Sequence, residues 1–224
     1  MLINLSYHLS ETTPFHKTLR SPRLERLYDL SKGDPCNSFY LTTSNHAGTH
    51  VDGPNHFNPI GRKITDYDLS ELVFSRPALA DIRVGADTLI LPQHLVGCDG
   101  CRSDCDFLFI RSGFGRLRAD AENYIGHNPG FSAAAAEYLM ERFKGLKALA
   151  VDFASIAATA HMEAGCEAHR IFLGCGKYSR RPVLLVEDIH FPDPLPRLEK
   201  IYLIPWMFEG LDSAPCTVFA ETEG

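Results

Sequence analysis

Apolar residues in this chain fall in short runs separated by glycine, proline and polar turns, a pattern that predicts strands more often than helices. Residues 2–6 alternate weakly and read as a first strand. Residues 7–35 hold prolines and many polar positions and read as a long loop or lid. Ser38 to Thr43 (Ser-Phe-Tyr-Leu-Thr-Thr) is rich in aromatic and β-preferring residues, which predicts a strand. Short strands are also predicted at 78–82 and 88–91. Phe107 to Gly113 is an apolar run stopped by glycine, the signature of a buried strand. Ser132 to Lys144 opens on a capping serine, and its alanines and leucine recur at helical spacing, so a helix is predicted there. Residues 148–152 and 182–187 are further apolar strands, ending on Asp152 and Glu187. Residues 201–205 and 217–220 close the series. No internal repeat, low-complexity run or linker breaks it, so one α/β or α+β domain over residues 1–224 is expected.

Composition narrows the class. Hydrophobic residues are 45% and charged residues 22% of 224, the balance of a globular chain. The formal charge of −6 comes without a basic stripe, which disfavours a nucleic-acid partner. Residues 1–10 lack the basic start and apolar run of a signal peptide, and no window reaches the roughly 18 apolar residues of a membrane span. A cytoplasmic protein with no membrane partner is the expectation. Among seven cysteines, Cys98, Cys101 and Cys105 form a tight group. Even with His94 as a fourth donor, no second Cys-x2-Cys follows to suggest structural zinc. Reduced thiols in a surface turn are expected instead.

Histidine is the unusual residue. There are ten, and His46, His50 and His56 lie within one stretch, His-Ala-Gly-Thr-His-Val-Asp-Gly-Pro-Asn-His. Gly48, Thr49, Val51 and Gly53-Pro54 oppose a helix there. In an extended chain, alternate side chains share a face, so His46, His50, Asp52 and His56 would point to one side. Imidazole and carboxylate are ligands that zinc or manganese takes. An unmetallated polar cluster is the alternative, with the burden that each buried polar atom then needs a partner. A second group spans His161, Glu163, Glu167 and His169. Its two glutamates also fit an ordinary solvated helix face. Glu187 and Asp152 end buried strands, where an unpaired acid is costly and where sheet enzymes place their sites.

The stretch His46-Ala-Gly-Thr-His50-Val-Asp52-Gly-Pro54-Asn-His56 resembles the His-x-Gly-Thr-His-x-Asp-x-Pro-x-His motif of the cyclase-like metal-dependent hydrolases, the family of bacterial kynurenine formamidase and isatin hydrolase. Other segments are similar to family motifs too: Phe109-Ile-Arg-Ser-Gly-Phe-Gly115, Asn128-Pro-Gly-Phe-Ser132, Val151-Asp152-Phe-Ala-Ser155 and His169-Arg170-Ile-Phe-Leu173. The resemblance implies a swivelling β/β/α domain, a single mixed sheet with few helices, usually assembled as a homodimer or larger. It implies one or two Zn²⁺ or Mn²⁺ ions. His46, His50 and Asp52 would hold the first. Asp52, His169 and Glu187 would hold the second, with Asp52 and Glu187 bridging. His56 would be the general acid/base in hydrolysis of a small-molecule amide, an arylformamide or a cyclic amide; a fourth ligand is its other reading. Glu187 matches by strand context, and Lys177–Arg181 lengthens the loop before it. Phe15 is the early aromatic where the formamidase subgroup carries tryptophan; the only tryptophan here is Trp206. Phe15, Phe57 and Phe114 are candidates for pocket wall or core, and Asp152 for ligand orientation or a strand-end cap. The competing class is a metal-containing binding protein of the same fold without turnover.

Overall fold

The computed structural model describes residues 1–16 and 18–223. Thirteen strands lie among these described residues: β1 Leu2–Asn4, β2 Arg23–Tyr28, β3 Ser38–Thr42, β4 His50–Asp52, β5 Val73–Phe74, β6 Pro77–Asp81, β7 Leu89–Ile90, β8 Phe107–Arg111, β9 Gly130–Phe131, β10 Ala148–Val151, β11 Leu184–Glu187, β12 Leu198–Pro205 and β13 Ser213–Thr222. The α-helices are α1 Ala121–Gly126, α2 Ala133–Arg142 and α3 Met162–Phe172. Nine strands form one sheet in the order β5-β12-β13-β4-β11-β10-β8-β6, with β1 added on β13. The β6–β8–β10–β11 half is parallel and the rest antiparallel. The far edge curls back until β6 packs against β12, so the sheet is nearly closed. This is the mixed-sheet α/β architecture with few helices that was expected.

The strands are where they are because both faces of the sheet are buried. In β8, Phe107 and Phe109 enter one core while Leu108 and Ile110 enter the other. In β10, Ala148 and Ala150 alternate with Leu149 and Val151 in the same way. A strand buried on both faces reads as a continuous apolar run. The helical side of the sheet is covered by α2 and α3. The Ser132 hydroxyl accepts the Ala135 N–H at 3.1 Å and caps α2 as predicted.

Residues 7–35 are not all loop. Arg23–Tyr28 pairs with β3 in a separate antiparallel hairpin whose β2 residues are all exposed. With no buried face, that strand leaves no hydrophobic alternation to read. The Cys98–Cys105 segment is exposed at Asp99, Gly100 and 102–104, as a surface turn is, but its thiols point inward. Cys98 and Cys105 are buried in the core and Cys101 partly so, and burial pushes the Cys98 and Cys105 thiols up to about 12. Among the described residues, no helix is long and apolar enough to cross a membrane.

Candidate active site

Five local structures deliver the predicted site residues. His46 lies in the turn before β4, where Gly48 takes φ +63°. His50 and Asp52 stand two apart on β4 and so share a face. His56 closes a 3-10 turn, Pro54–His56, opened by a proline that already has the φ such a turn needs. His169 sits in the last turn of α3, and Glu187 ends β11 directly opposite His50 in the pairing with β4. The extended segment expected from the sequence therefore exists only at 50–52. Turns on either side replace it, yet the side chains still converge.

The distances are short. His46 Nδ1 is 3.1 Å from Asp52 Oδ1, and His50 Nε2 is 3.6 Å from the same oxygen and 3.3 Å from Glu187 Oε2. His169 Nε2 lies 3.6 Å from Glu187 Oε1 and 3.8 Å from Asp52 Oδ2. The His56 ring centre is 4.5 Å from that of His46 and 5.9 Å from that of His169. His50, Asp52, His169 and Glu187 are buried; His46 and His56 are partly exposed at the mouth.

Backbone carbonyls aim the two inner imidazoles. His50 Nδ1 is 2.8 Å from Gly48 O, and His169 Nδ1 is 2.9 Å from Gly165 O. A hydrogen on each Nδ1 leaves each Nε2 free toward the acids. Glu187 Oε1 accepts the Ile156 N–H at 2.8 Å and the Ser155 hydroxyl at 3.1 Å. Among the described residues, two buried side-chain polar atoms have no hydrogen-bond partner, His50 Nε2 and Asp52 Oδ1. Each has close neighbours, carboxylate oxygens around His50 Nε2 and imidazole nitrogens around Asp52 Oδ1, yet neither forms a hydrogen bond with them. Buried polar atoms are rarely left so, and a cation between them would satisfy both. Among the described residues, two trios could hold a metal ion, His46–Asp52–His56 and His50–Asp52–Glu187.

The charge balance points the same way. Burial pushes the His50 imidazole down, but Glu187 and Asp52 beside it outweigh this and raise it to about 9. Burial pushes Asp52 up, yet His46, His50 and His56 hold it well below the usual carboxylate range. Burial and the Asp52 charge push Glu187 up, and His169 and His50 outweigh them and bring it to about 2. Two buried carboxylates thus hold positive charge among them, a demand that a divalent cation meets.

A cavity of about 410 Å³ opens above this cluster. Phe15, Leu19, Phe57, Tyr124, Ile125 and Met162 contribute to its walls. Phe57 stacks on the His169 ring at 4.7 Å and 18°. Of the three candidate phenylalanines, Phe15 and Phe57 line the cavity and Phe114 is core. Asp152 is a cap: its carboxylate accepts the Ser112 and Gly113 N–H groups, each at 2.8 Å. Glu163 and Glu167 are exposed on α3, and His161 bonds the Asp87 carbonyl at 3.0 Å.

Two acids absent from the sequence reading matter here. Asp188 lines the cavity with φ +57° and is gripped by both sides of the Arg118 fork at 2.8 Å and by the Tyr124 hydroxyl at 2.6 Å. Asp212 lies 2.7 Å from His56 Nδ1. Burial pushes His56 down, but Asp212 and Asp52 raise it; burial pushes Asp212 up, but His56 lowers it. The position of Asp188 beside Glu187 was a usable signal. Asp212 had none.

Residues 3–158 match the Cyclase family model. Cyclase-like protein 2 of Oryza sativa subsp. japonica is 25% identical over 189 residues, which is 83% of this chain and 65% of that protein. The chain thus spans just under two thirds of that relative's length. Isatin hydrolase A from Labrenzia aggregata, bound to benzyl benzoate, superposes with a TM-score of 0.80 at 18% identity, covering 100% of this chain and 94% of that one. Isatin hydrolase A from Ralstonia solanacearum gives a TM-score of 0.80 at 17% identity over 100% and 92%. At such identities the likeness is one of fold.

Proposed function

Because the chain belongs to the Cyclase family, we propose that it is a metal-dependent hydrolase that cleaves the carbon–nitrogen bond of an arylformamide or a cyclic amide. The observation that carries this reading is the pair of orphaned buried atoms, His50 Nε2 and Asp52 Oδ1, inside a ring of imidazoles and acids. His46, His50 and Asp52 would hold one cation, and Asp52, His169 and Glu187 a second. Zinc and manganese both suit this nitrogen and oxygen donor set. A bound cation of this kind acidifies water and polarises a carbonyl.

The residues supply the rest. His56 takes a proton from the attacking water and returns it to the leaving nitrogen, a two-way role that imidazole suits. Phe15 and Phe57 form an apolar wall for a flat ring, in a cavity of a size typical for small ligands. The benzyl benzoate carried by the isatin hydrolase A of Labrenzia aggregata supports an aromatic ligand in this fold. The two cores share one sheet, which supports reading residues 1–224 as a single domain. All seven cysteines are free thiols, as suits the reducing cytoplasm. The exposed β2–β3 hairpin supports a homodimer.

The test is metal analysis of the purified protein together with hydrolysis of an N-formyl aromatic amine and of a cyclic amide. His56→Ala is expected to keep its metal and lose about 10²–10⁴-fold in kcat. Asp52→Ala is expected to lose metal and activity together. Full activity without Asp52 would overturn the scheme, and loss of metal from His56→Ala would make His56 a ligand.

A further inference from the structure

The proposed reaction, on which this inference rests, needs His56 to present one nitrogen lone pair to the cavity. An isolated imidazole at the mouth of a pocket has two tautomers and a rotatable ring, so something must choose. His56 Nδ1 sits 2.7 Å from Asp212 Oδ2, a residue 156 positions later in the chain. That contact is built from several directions. Asp212 is the residue before β13, whose first residue, Ser213, pairs with Asp52 on β4. The Gly53 N–H donates to the Asp212 carbonyl at 2.9 Å, and a Cβ on Gly53 would stand only 2.9 Å from that same oxygen. The Ile64 N–H holds the preceding carbonyl, that of Leu211, at 3.1 Å. The side chain is fixed independently. Asn45 Nδ2 donates to Oδ1 at 2.9 Å, and the Ser213 hydroxyl donates to Oδ2 at 3.2 Å.

We propose that Asp212 is a positioning residue for His56. Its Oδ2 accepts the Nδ1 hydrogen and selects the tautomer whose Nε2 lone pair faces the cavity. When Nε2 takes the proton of the attacking water, the same carboxylate stabilises the imidazolium. When Nε2 delivers that proton to the leaving nitrogen, the neutral tautomer is restored. Asp212 stays ionised and exchanges no proton with the substrate. Asn45 adds a reason for its own place beside His46: it holds the second carboxylate oxygen and so keeps the first turned to His56.

Asp212→Asn separates this role from a merely structural one. With the amide oxygen kept on the Asn45 Nδ2 donor, the NH2 faces His56 Nδ1 and cannot accept its hydrogen, so that hydrogen moves to Nε2. With N-formylaniline as the probe and Zn²⁺-loaded protein, kcat is expected to fall about 100-fold or more, with KM, bound zinc per chain and melting temperature unchanged. Asp212→Glu, which keeps the acceptor, is expected to recover part of the loss. Long-range ¹H–¹⁵N spectra of ¹⁵N-histidine protein saturated with Zn²⁺ read the tautomer directly. Wild-type His56 is expected to carry its hydrogen on Nδ1, and the Asn variant on Nε2. A wild-type hydrogen on Nε2 overturns the proposal, as does an Asn variant that loses zinc or raises KM while keeping its kcat. If wild-type protein hydrolyses no amide, the proposed function fails, and the spectra still decide the role of Asp212.

Discussion

Each inner imidazole of the cavity is held by a carbonyl belonging to a glycine, and each glycine is there for a reason of space or backbone. Gly48 bends the chain at φ +63° before His50. Gly165 lets α3 lie against the Ala157 backbone, because a Cβ there would fall 2.4 Å from Ala157 Cα. The same Gly165 carbonyl orients His169 one turn later. Gly165→Ala is therefore expected to cost about 1–3 kcal/mol of stability, the usual price of overpacking, and to weaken metal binding by moving His169. Gly126→Ala, in α1 where an added Cβ meets nothing within 4 Å, is the control and should cost no stability and leave metal binding unchanged. Thermal melting and zinc titration of the two variants check this. At this scale the sequence was legible where donors lie close along the chain, as from His46 to His56. It could not rank Asp152 against Glu187, since both end apolar strands. Pairing separates them: Glu187 faces His50 across the β11–β4 pairing, while Asp152 turns to cap Ser112 and Gly113. Asp212 was invisible because its partner lies 156 residues away, and an acid in a loop has no spacing signature.

Among the elements, the strands buried on both faces could be read directly, since β8, β10 and β11 leave uninterrupted apolar runs. Helix α2 could be read from its cap and spacing. Ser132→Ala should remove about 1 kcal/mol, a fall of about 2–4 °C in melting temperature for a chain of this size. Because α2 contributes no side chain to the cavity, kcat and bound metal should stay the same. A fall in either would mean that the helix bears on the site. The boundaries that failed have local causes. β13 starts at Ser213 rather than near Thr217, because Pro215 argues against a strand until its pairing with His50 is known. β2 was hidden because Arg23-Leu-Glu-Arg-Leu-Tyr28 buries no face.

At the scale of the whole molecule, that hairpin is the part the fold does not account for. Two apolar cores flank the central sheet, and neither includes a residue of β2 or β3. Leu24, Leu27, Tyr28, Phe39, Tyr40 and Leu41 are nonetheless all exposed. A two-stranded ribbon is marginal by itself, and a clustered apolar surface marks a contact. The hairpin and its turn mix both signs of charge, Arg23, Arg26 and Lys32 with Glu25, Asp29 and Asp34, so the patch can face its own copy across a twofold axis with opposite charges paired. Leu24 and Leu41 face each other in the pairing, so replacing both by serine strips apolar area from one place without changing the net charge. Under the proposed homodimer, the wild type is expected to sediment as a dimer and the double variant as a monomer. The hairpin also joins the cavity-lining Phe15 and Leu19 to the His46 turn along the chain. Loss of the partner should therefore loosen the cavity wall and raise KM, while zinc stays bound. A wild type that is monomeric at micromolar concentration, or a double variant that remains a dimer, would remove the hairpin from the interface.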